Sequence, residues 1–461
     1  MAERRYYERH IERTSEEELR QLQTRGVAEQ VRKAAESDFY ATRFKVDGFN
    51  PGAVSGLDSL SQVSVTTKQD ICRDIDDHPP YGSRLVVPLS EITSIVETSG
   101  TSGKGKEVHV STAADKQRII RMEAFGFHWA GAKSGDRIAF TLPIQMTAAG
   151  IWWTMALDRM EVNNLRLGDF DSDRKLDYML RYSADLMIAT PAYVLRLEQA
   201  AHDRGMNLRQ SLPEMRSILV AGEAKSGAWV AEREDVWGAT FFEQWGCSAG
   251  AVAWSCENGM APKGKPGLVH FLPHLAYMEV IDPESGEHVK DGEYGELVLT
   301  PLGIEGAPLI RFATGDRVRY LHWNNCSCGR QFSGIEAGSV SRYDDMVKIK
   351  GVNVWPSAVA AILEDFDDVV EHRATIYQAE DGREKVRIEV ELTPEGTASA
   401  SSSPLLKSIS DELRSTTGIN YEIAVWQGEG SLETEITMGH SGKVRRWRDL
   451  RSGGSEVEVA S

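Results

Sequence analysis

The stretch Glu97–Glu107, ETSGTSGKGKE, decides how this chain is read. Gly100, four residues, Gly105 and Lys106 satisfy the G-x-x-x-x-G-K spacing of a nucleoside-triphosphate P-loop, in which the next residue is a Ser or Thr that ligates Mg2+. Here that residue is Glu107, whose carboxylate would repel a triphosphate. A P-loop also opens a helix directly, whereas EVHVST follows, with Val108 and Val110 alternating as in a strand. The stretch is therefore expected to join two strands. Such a Gly/Ser hairpin is either an ordinary surface turn or a cradle that binds phosphate through backbone N–H groups. Thr98, Ser99, Thr101 and Ser102 would add hydroxyl donors to such a cradle.

Around the hairpin, from about residue 85 to 300, strand-like apolar runs alternate with helical ones. RLVVPL, DRIAFTL, ADLMIAT, RSILVAG and ATFFEQW read as strands, with KQRIIRMEAFGFHWA and AYVLRLEQAAHDRG as helices between them. The alternation predicts a layered α/β fold. MEVIDPESGEHVKDGEYGELVLT predicts an antiparallel hairpin. Thr14 and Glu17 have the spacing of a capping box for the helix that follows. A boundary is expected near Arg342–Asp345. Residues 1–341 then form a large domain and 342–450 a small α+β domain, with 451–461 as a flexible tail.

At 461 residues, two domains are the default. A net charge of −17 argues against a nucleic-acid surface as the main business. The first residues lack a signal-peptide core, and no apolar run is long enough for a membrane span. Five cysteines in such a chain suggest a cytoplasmic, reduced protein whose thiols are free, catalytic or metal-bound.

The hairpin, LIRFATGDRVRY (Leu309–Tyr320), SRYDDMVKIKGVNVWP (from Ser341) and GHSGKVRR (from Gly439), in that order, resemble segments of the acyl-adenylate-forming enzymes. ELRQLQTRGVAEQVRKAAESDFYATRF, TTKQDI and GVNVWPS bring the resemblance closer to the phenylacetate–CoA ligase branch. That family joins a carboxylate to ATP, releasing pyrophosphate, and then exchanges AMP for a thiol. The resemblance implies that Thr98, Ser99, Gly100, Thr101, Ser102, Gly103 and Lys104 cradle phosphate. Gly222, Glu223 and Ala224 would pack on adenine, with Glu243, Gln244 and Trp245 beside the nucleotide. Asp316 would accept from both ribose hydroxyls. Arg342 would contact the nucleotide, or simply pair with Asp344 or Asp345. Lys443 would bridge carboxylate and phosphate, supplying charge where two anions meet. Asp344 would be the hinge about which the small domain swivels, bringing Gly351 to the thiol channel.

One position departs from the family. FFEQWGCSAG matches its aromatic–Gly–x–Ser/Thr–Glu motif at Trp245 and Gly246, but Ala249 stands where a Glu helps hold Mg2+. Glu243 or Glu97 could substitute. The acyl pocket is expected from LPIQMTAAGIWW and its neighbours: Gln145, Met146, Ala148, Gly150, Trp152, Ala221, Gly246, Cys247 and Ser248. Gln145, Met146, Trp152 and Trp153 favour a flat aromatic acid over a long chain, although core packing would account for at least one of the tryptophans. Cys247 reads as pocket lining. Cys256, His270, Cys326 and Cys328 match cysteines and a histidine in some relatives, and a Cys3His set suits structural Zn2+; His274 is the competing histidine.

The expectation is thus an AMP-forming aryl-acid–CoA ligase using ATP, Mg2+ and coenzyme A. The alternatives are transfer to a carrier protein or an amine, and a catalytically impaired nucleotide-binding homologue. No nucleic-acid or membrane partner is expected, and a homodimer is left open.

Overall fold

The computed structural model describes residues 6–97, 107–144, 148–343, 346–350, 352–379, 383–394, 396–397, 404–428, 430–432, 436–438, 443–444, 446–451 and 457–459. It divides into two compact units, Met1–Val340 and Ser341–Ser461.

In the first unit, β1 (Ser94–Glu97) and β2 (Val108–Ser111) pair antiparallel, Glu97 opposite Val108, so the decisive stretch does join two strands. A mixed sheet follows, built from β3 (Arg137–Phe140), β4 (Asn163–Arg166), β5 (Leu186–Ala189), β6 (Ser217–Ala221), β7 (Thr240–Cys247), β8 (Ala251–Ser255), β9 (Leu268–Phe271), β10 (Ala276–Ile281), β11 (Tyr294–Pro301), β12 (Phe312–Leu321) and β13 (Gly334–Glu336). Their spatial order is β10-β11-β12-β13-β9-β8-β7-β6-β5-β3-β4. Strands β4, β3, β5, β6 and β7 run parallel, and the pairs from β7 to β10 are antiparallel.

The parallel half is wound by crossover helices Ala148–Arg159, Ser172–Arg181, Pro191–Asp203 and Gly227–Trp237. Helices on both faces explain why β5 (LMIA) is buried at every residue and reads as an unbroken apolar run. The predicted β10–β11 hairpin is present.

Two local expectations are corrected, and one strand was missed. RLVVPL forms no strand: Pro88 has no N–H to give a ladder, and Val86 N makes a single backbone bond, to Gly306 O at 3.0 Å. The polar strand β4 (NNLR), at the sheet edge, was not foreseen. The capping box lies one residue later than expected, with Ser15 and Glu18 capping helix Glu16–Ala34, while the Thr14 hydroxyl donates to His10 O.

The second unit folds around a sheet of its own. Val369–Gln378 and Glu384–Leu392 form an antiparallel pair whose inward residues Val386, Ile388, Val390 and Leu392 are buried as their alternation predicts. Helix Pro404–Thr417 ends on Gly418, at φ +73°. Val457–Val459, within the expected tail, pairs antiparallel with Trp447–Asp449. Among the described residues, no helix is long and apolar enough to cross a membrane.

Candidate active site

Open α/β sheets bind ligands beyond the carboxyl ends of their parallel strands. Several of the expected site residues lie there. β6 ends at Ala221, and Gly222, at φ +92°, turns the chain off the strand into Glu223 and Ala224. Ala221 pairs with Gln244 of β7. Next along β7, buried Trp245 donates from Nε1 to Asp316 Oδ2 at 3.0 Å. Asp316 is positioned by Gly315, at φ +75°, and by its own N–H on Thr314 Oγ1 at 3.0 Å. Glu243 Oε2 accepts from Gly338 N at 2.7 Å. Gly338, at φ +72°, lies so close to the Lys225 carbonyl that a Cβ would stand 2.2 Å from that oxygen. The Gly222–Ala224 turn, the β7 residues and Asp316 are thereby tied into one frame.

Burial pushes Glu243 up to about 7, against a single opposing N–H from Gly338. A buried carboxyl so engaged is poorly suited to holding Mg2+. The other carboxylate considered for that task, Glu97, closes β1 beside the loop. Glu107 carries no bare charge: its carboxylate meets Lys68 Nζ and His109 Nε2, each at 3.0 Å. Burial alone would raise it, but these two partners hold it at about 2. The loop residues Thr98, Ser99, Gly100, Thr101, Ser102, Gly103 and Lys104 lie outside the described residues.

Of the acyl-pocket set, Gln145 and Met146 lie outside the described residues, as does the side chain of Ala148. Gly150 is buried in helix Ala148–Arg159. Trp152 and Trp153 are both buried in one apolar cluster, where Trp153 packs edge-on against Phe127 and Phe140. Core packing therefore explains Trp153. Gly246 lets the Gln244 amide approach, since a Cβ there would meet its Nε2 at 2.7 Å. Burial pushes Cys247 up to about 12, which suits lining and not a thiolate nucleophile. Ser248 borders a cavity behind β2.

Sequence reasoning missed Glu123. It sits on helix Ala113–Trp129, 4% exposed, and its Oε2 accepts from Gln244 Nε2 at 3.4 Å. Burial pushes it up to about 8, although hydrogen bonds from Trp153 and Gln244 pull the other way. Its sequence signal is a lone acid on the apolar face of RMEAFGF.

The four expected metal ligands converge. One ligand atom from each of Cys256, His270, Cys326 and Cys328 lies within 4.8 Å of all the others. Cys256 and Cys326 sulfurs are 3.6 Å apart, and Cys328 Sγ is 3.6 Å from His270 Nε2. A tetrahedral zinc with sulfur bonds of about 2.3 Å has edges of roughly 3.8 Å, so the set fits. His270 Nδ1 faces Phe332 O at 2.6 Å, which directs Nε2 at the thiols. His274 lies outside this cluster, packed against Phe125 and Phe332. Beside the cluster, the fully buried Arg330 binds Glu12 Oε2 at 2.6 Å and Glu257 Oε2 at 2.5 Å. Trp129 Nε1 also donates to Glu12, at 2.9 Å.

In the second unit, Lys443 lies in a two-residue strand, opposite Met438. Arg342 opens that unit in strand Ser341–Arg342. Asp344 and Gly351 lie outside the described residues.

Comparisons with known proteins agree with this layout. The family "AMP-binding enzyme" matches residues 50–303, more than half of the chain, and "AMP-binding enzyme C-terminal domain" matches 351–451. A phenylacetate-coenzyme A ligase of Aromatoleum evansii is 25% identical over 447 residues, covering 94% of this chain and 96% of that protein. One from Thermus thermophilus is 26% identical over 395 residues, covering 84% of each. The crystal structure of 2-hydroxyisobutyryl-CoA ligase in its postadenylation state with R3-HIB-AMP superposes with a TM-score of 0.85, at 21% identity, over 97% of this chain and 93% of that one. With its two units matched separately by the two halves of one family, and the acid of Asp316 fixed by Trp245 at the carboxyl ends of the strands, the chain belongs to the AMP-binding enzymes.

Proposed function

We propose that the chain is an AMP-forming aryl-acid–CoA ligase. The observation that carries the reading is the Trp245–Asp316 hydrogen bond at 3.0 Å, which fixes a buried carboxylate where a nucleotide would lie. The curated relatives at about a quarter identity over most of the chain point to phenylacetate-like acids and to coenzyme A as acceptor.

In the first step a carboxylate oxygen attacks the α-phosphorus of ATP, and the bond to pyrophosphate breaks. In the second the thiol sulfur attacks the acyl carbonyl carbon and AMP leaves, with the thiol proton passing to solvent. Asp316 accepts from the ribose hydroxyls, and the turn at Gly222–Ala224 packs on the base. Glu243, Gln244 and Trp245 shape the floor beneath the nucleotide, and the residues from Thr98 to Lys104 cradle its phosphates. Lys443 of the second unit supplies positive charge to the first step. Arg342 assists at the nucleotide, and Gly351 serves the second step after a swivel at Asp344. The acid lies against Gly150, Trp152, Gly246 and Ser248. Mg2+ would arrive with ATP and offset phosphate charge, with Glu97 the remaining candidate carboxylate once Glu243 is engaged by Gly338. Zn2+, held by Cys256, His270, Cys326 and Cys328, would be structural, since four protein ligands leave no open position.

The test is product analysis with ATP, CoA and a panel of aryl acids. Acid-dependent formation of AMP, pyrophosphate and an aryl-CoA thioester is expected. ADP as product, or no acid dependence across the panel, defeats the reading.

A further inference from the structure

In the second unit, strands Val347–Ile349 and Val352–Val354 pair antiparallel, Ile349 opposite Val352, so the chain reverses within Lys350 and Gly351. Val347, Ile349 and Val354 are buried in the apolar core of that unit, which fixes the base of the hairpin. Toward the tip, Lys348 and Lys350 are exposed. Lys350 stands at φ +50°, a conformation unfavourable for a residue with a Cβ. Such a conformation persists only where neighbouring groups impose it.

Two charged side chains do so. Glu384, the first residue of strand Glu384–Leu392, accepts from the Lys350 N–H through Oε2 at 2.6 Å. Its Oε1 accepts from Arg451 Nη1 at 2.8 Å. The same Nη1 donates to Lys348 O at 2.7 Å. Arg451 is held in turn by Asp449, at the end of strand Trp447–Asp449, whose Oδ1 accepts from its Nε at 2.9 Å. One carboxylate and one guanidinium thus grip the backbone on both sides of Ile349, each anchored on a different strand of the sheet. Both side chains are half-buried, where ionic hydrogen bonds are screened less than in open solvent. Lys443 lies in a separate two-stranded ladder, opposite Met438.

We propose that Glu384 and Arg451 are positioning residues for the second half-reaction: they hold the backbone of Lys348 and Lys350, and with it the entry to Gly351, in the shape that the thiol step uses. Neither side chain touches the reacting atoms in this account. The assignment to the thiol step rests on the ligase reading, which gives Gly351 its role. The clasp stands on its own hydrogen bonds. Because the apolar core holds the base of the hairpin, opening the clasp frees the tip and leaves the unit folded. Adenylation, which draws on Lys443, should not feel it.

The test compares the full-length parent with Glu384→Ala and Glu384→Gln. The two half-reactions are measured separately, using the aryl acid that the parent turns over fastest and its synthetic adenylate. Glu384→Ala should slow thiolysis of the supplied adenylate by CoA roughly tenfold, the loss of one hydrogen bond to a charged group. Acid-dependent pyrophosphate exchange should stay at the parent rate. Glu384→Gln keeps an acceptor for the Lys350 N–H and should recover most of the thiolysis. Limited trypsin digestion reads the turn without catalysis: cleavage after Lys350 should quicken in Glu384→Ala and return toward the parent rate in Glu384→Gln. Exchange and thiolysis falling together would show general damage and overturn the proposal. So would unchanged thiolysis, or slower thiolysis without faster cleavage. A parent that forms no AMP with any acid sinks the ligase reading, and the thiol-step assignment with it, whereas faster cleavage in Glu384→Ala would still show the clasp holding the turn.

Discussion

Glu123→Gln tests the electrostatics of the buried layer between helix Ala113–Trp129 and β7. Glu123 is 4% exposed and is pushed from 4.5 up to about 8, mainly by burial. Because its folded value lies above its unfolded one, the native state keeps a proton that the unfolded chain gives up between about pH 4.5 and 8. Stability from this group is therefore present at low pH and is lost as pH rises through that window. At about 1.4 kcal/mol for each pH unit inside the window, going from about pH 5 to about pH 7.5 costs the parent roughly 3 kcal/mol through Glu123. Gln keeps a neutral group of the same shape beside Gln244 and Trp153 and carries no proton to lose. Glu243, up at about 7, adds its own falling slope, but equally in both proteins. Urea melts followed by tryptophan fluorescence at the two pH values give the difference. The parent should lose about 3 kcal/mol more than Glu123→Gln on going to the higher pH. Equal losses in the two proteins would refute the assignment of a neutral carboxyl at this position.

Other expectations can be checked directly. Lys443→Ala should suppress acyl-AMP formation far more than thiolysis of supplied acyl-AMP, and equal losses would count against the domain-swivel account. Asp316→Asn removes charge from hydrogen bonds worth about 1.5–3 kcal/mol, so KM for ATP should rise roughly 10- to 100-fold with the fold intact by circular dichroism. Elemental analysis should find close to one zinc per chain, falling sharply in Cys328→Ser, and iron or no metal would contradict the zinc assignment. Gly338→Ala drives a methyl against the Lys225 carbonyl and should weaken nucleotide binding in calorimetry, whereas an unchanged Kd would show that this turn yields freely.

Much of the parallel half was legible because buried strands must be apolar on both faces, as DRIAFTL, ADLMIAT, RSILVAG and ATFFEQW are. β4 escaped because an edge strand has one neighbour and much solvent, so NNLR carries no apolar pattern. RLVVPL misled for the converse reason: its apolar residues are half-buried or exposed and have no ladder partner. At the site, glycine turns and the positions of Asp316 and Trp245 could be nominated from order along the chain, but their hydrogen bond depends on bringing β12 and β7 together across the sheet. Glu123 escaped for a related cause: it is one acid in an apolar run, and only packing reveals that water has been removed from it.

The clasp of Glu12 by Arg330 sets a timetable for synthesis. The two residues are 318 positions apart. The opening helices leave the ribosome long before the loop that receives them exists. They must wait, unlatched, until most of the larger unit has been translated, and their docking should be among its last folding events.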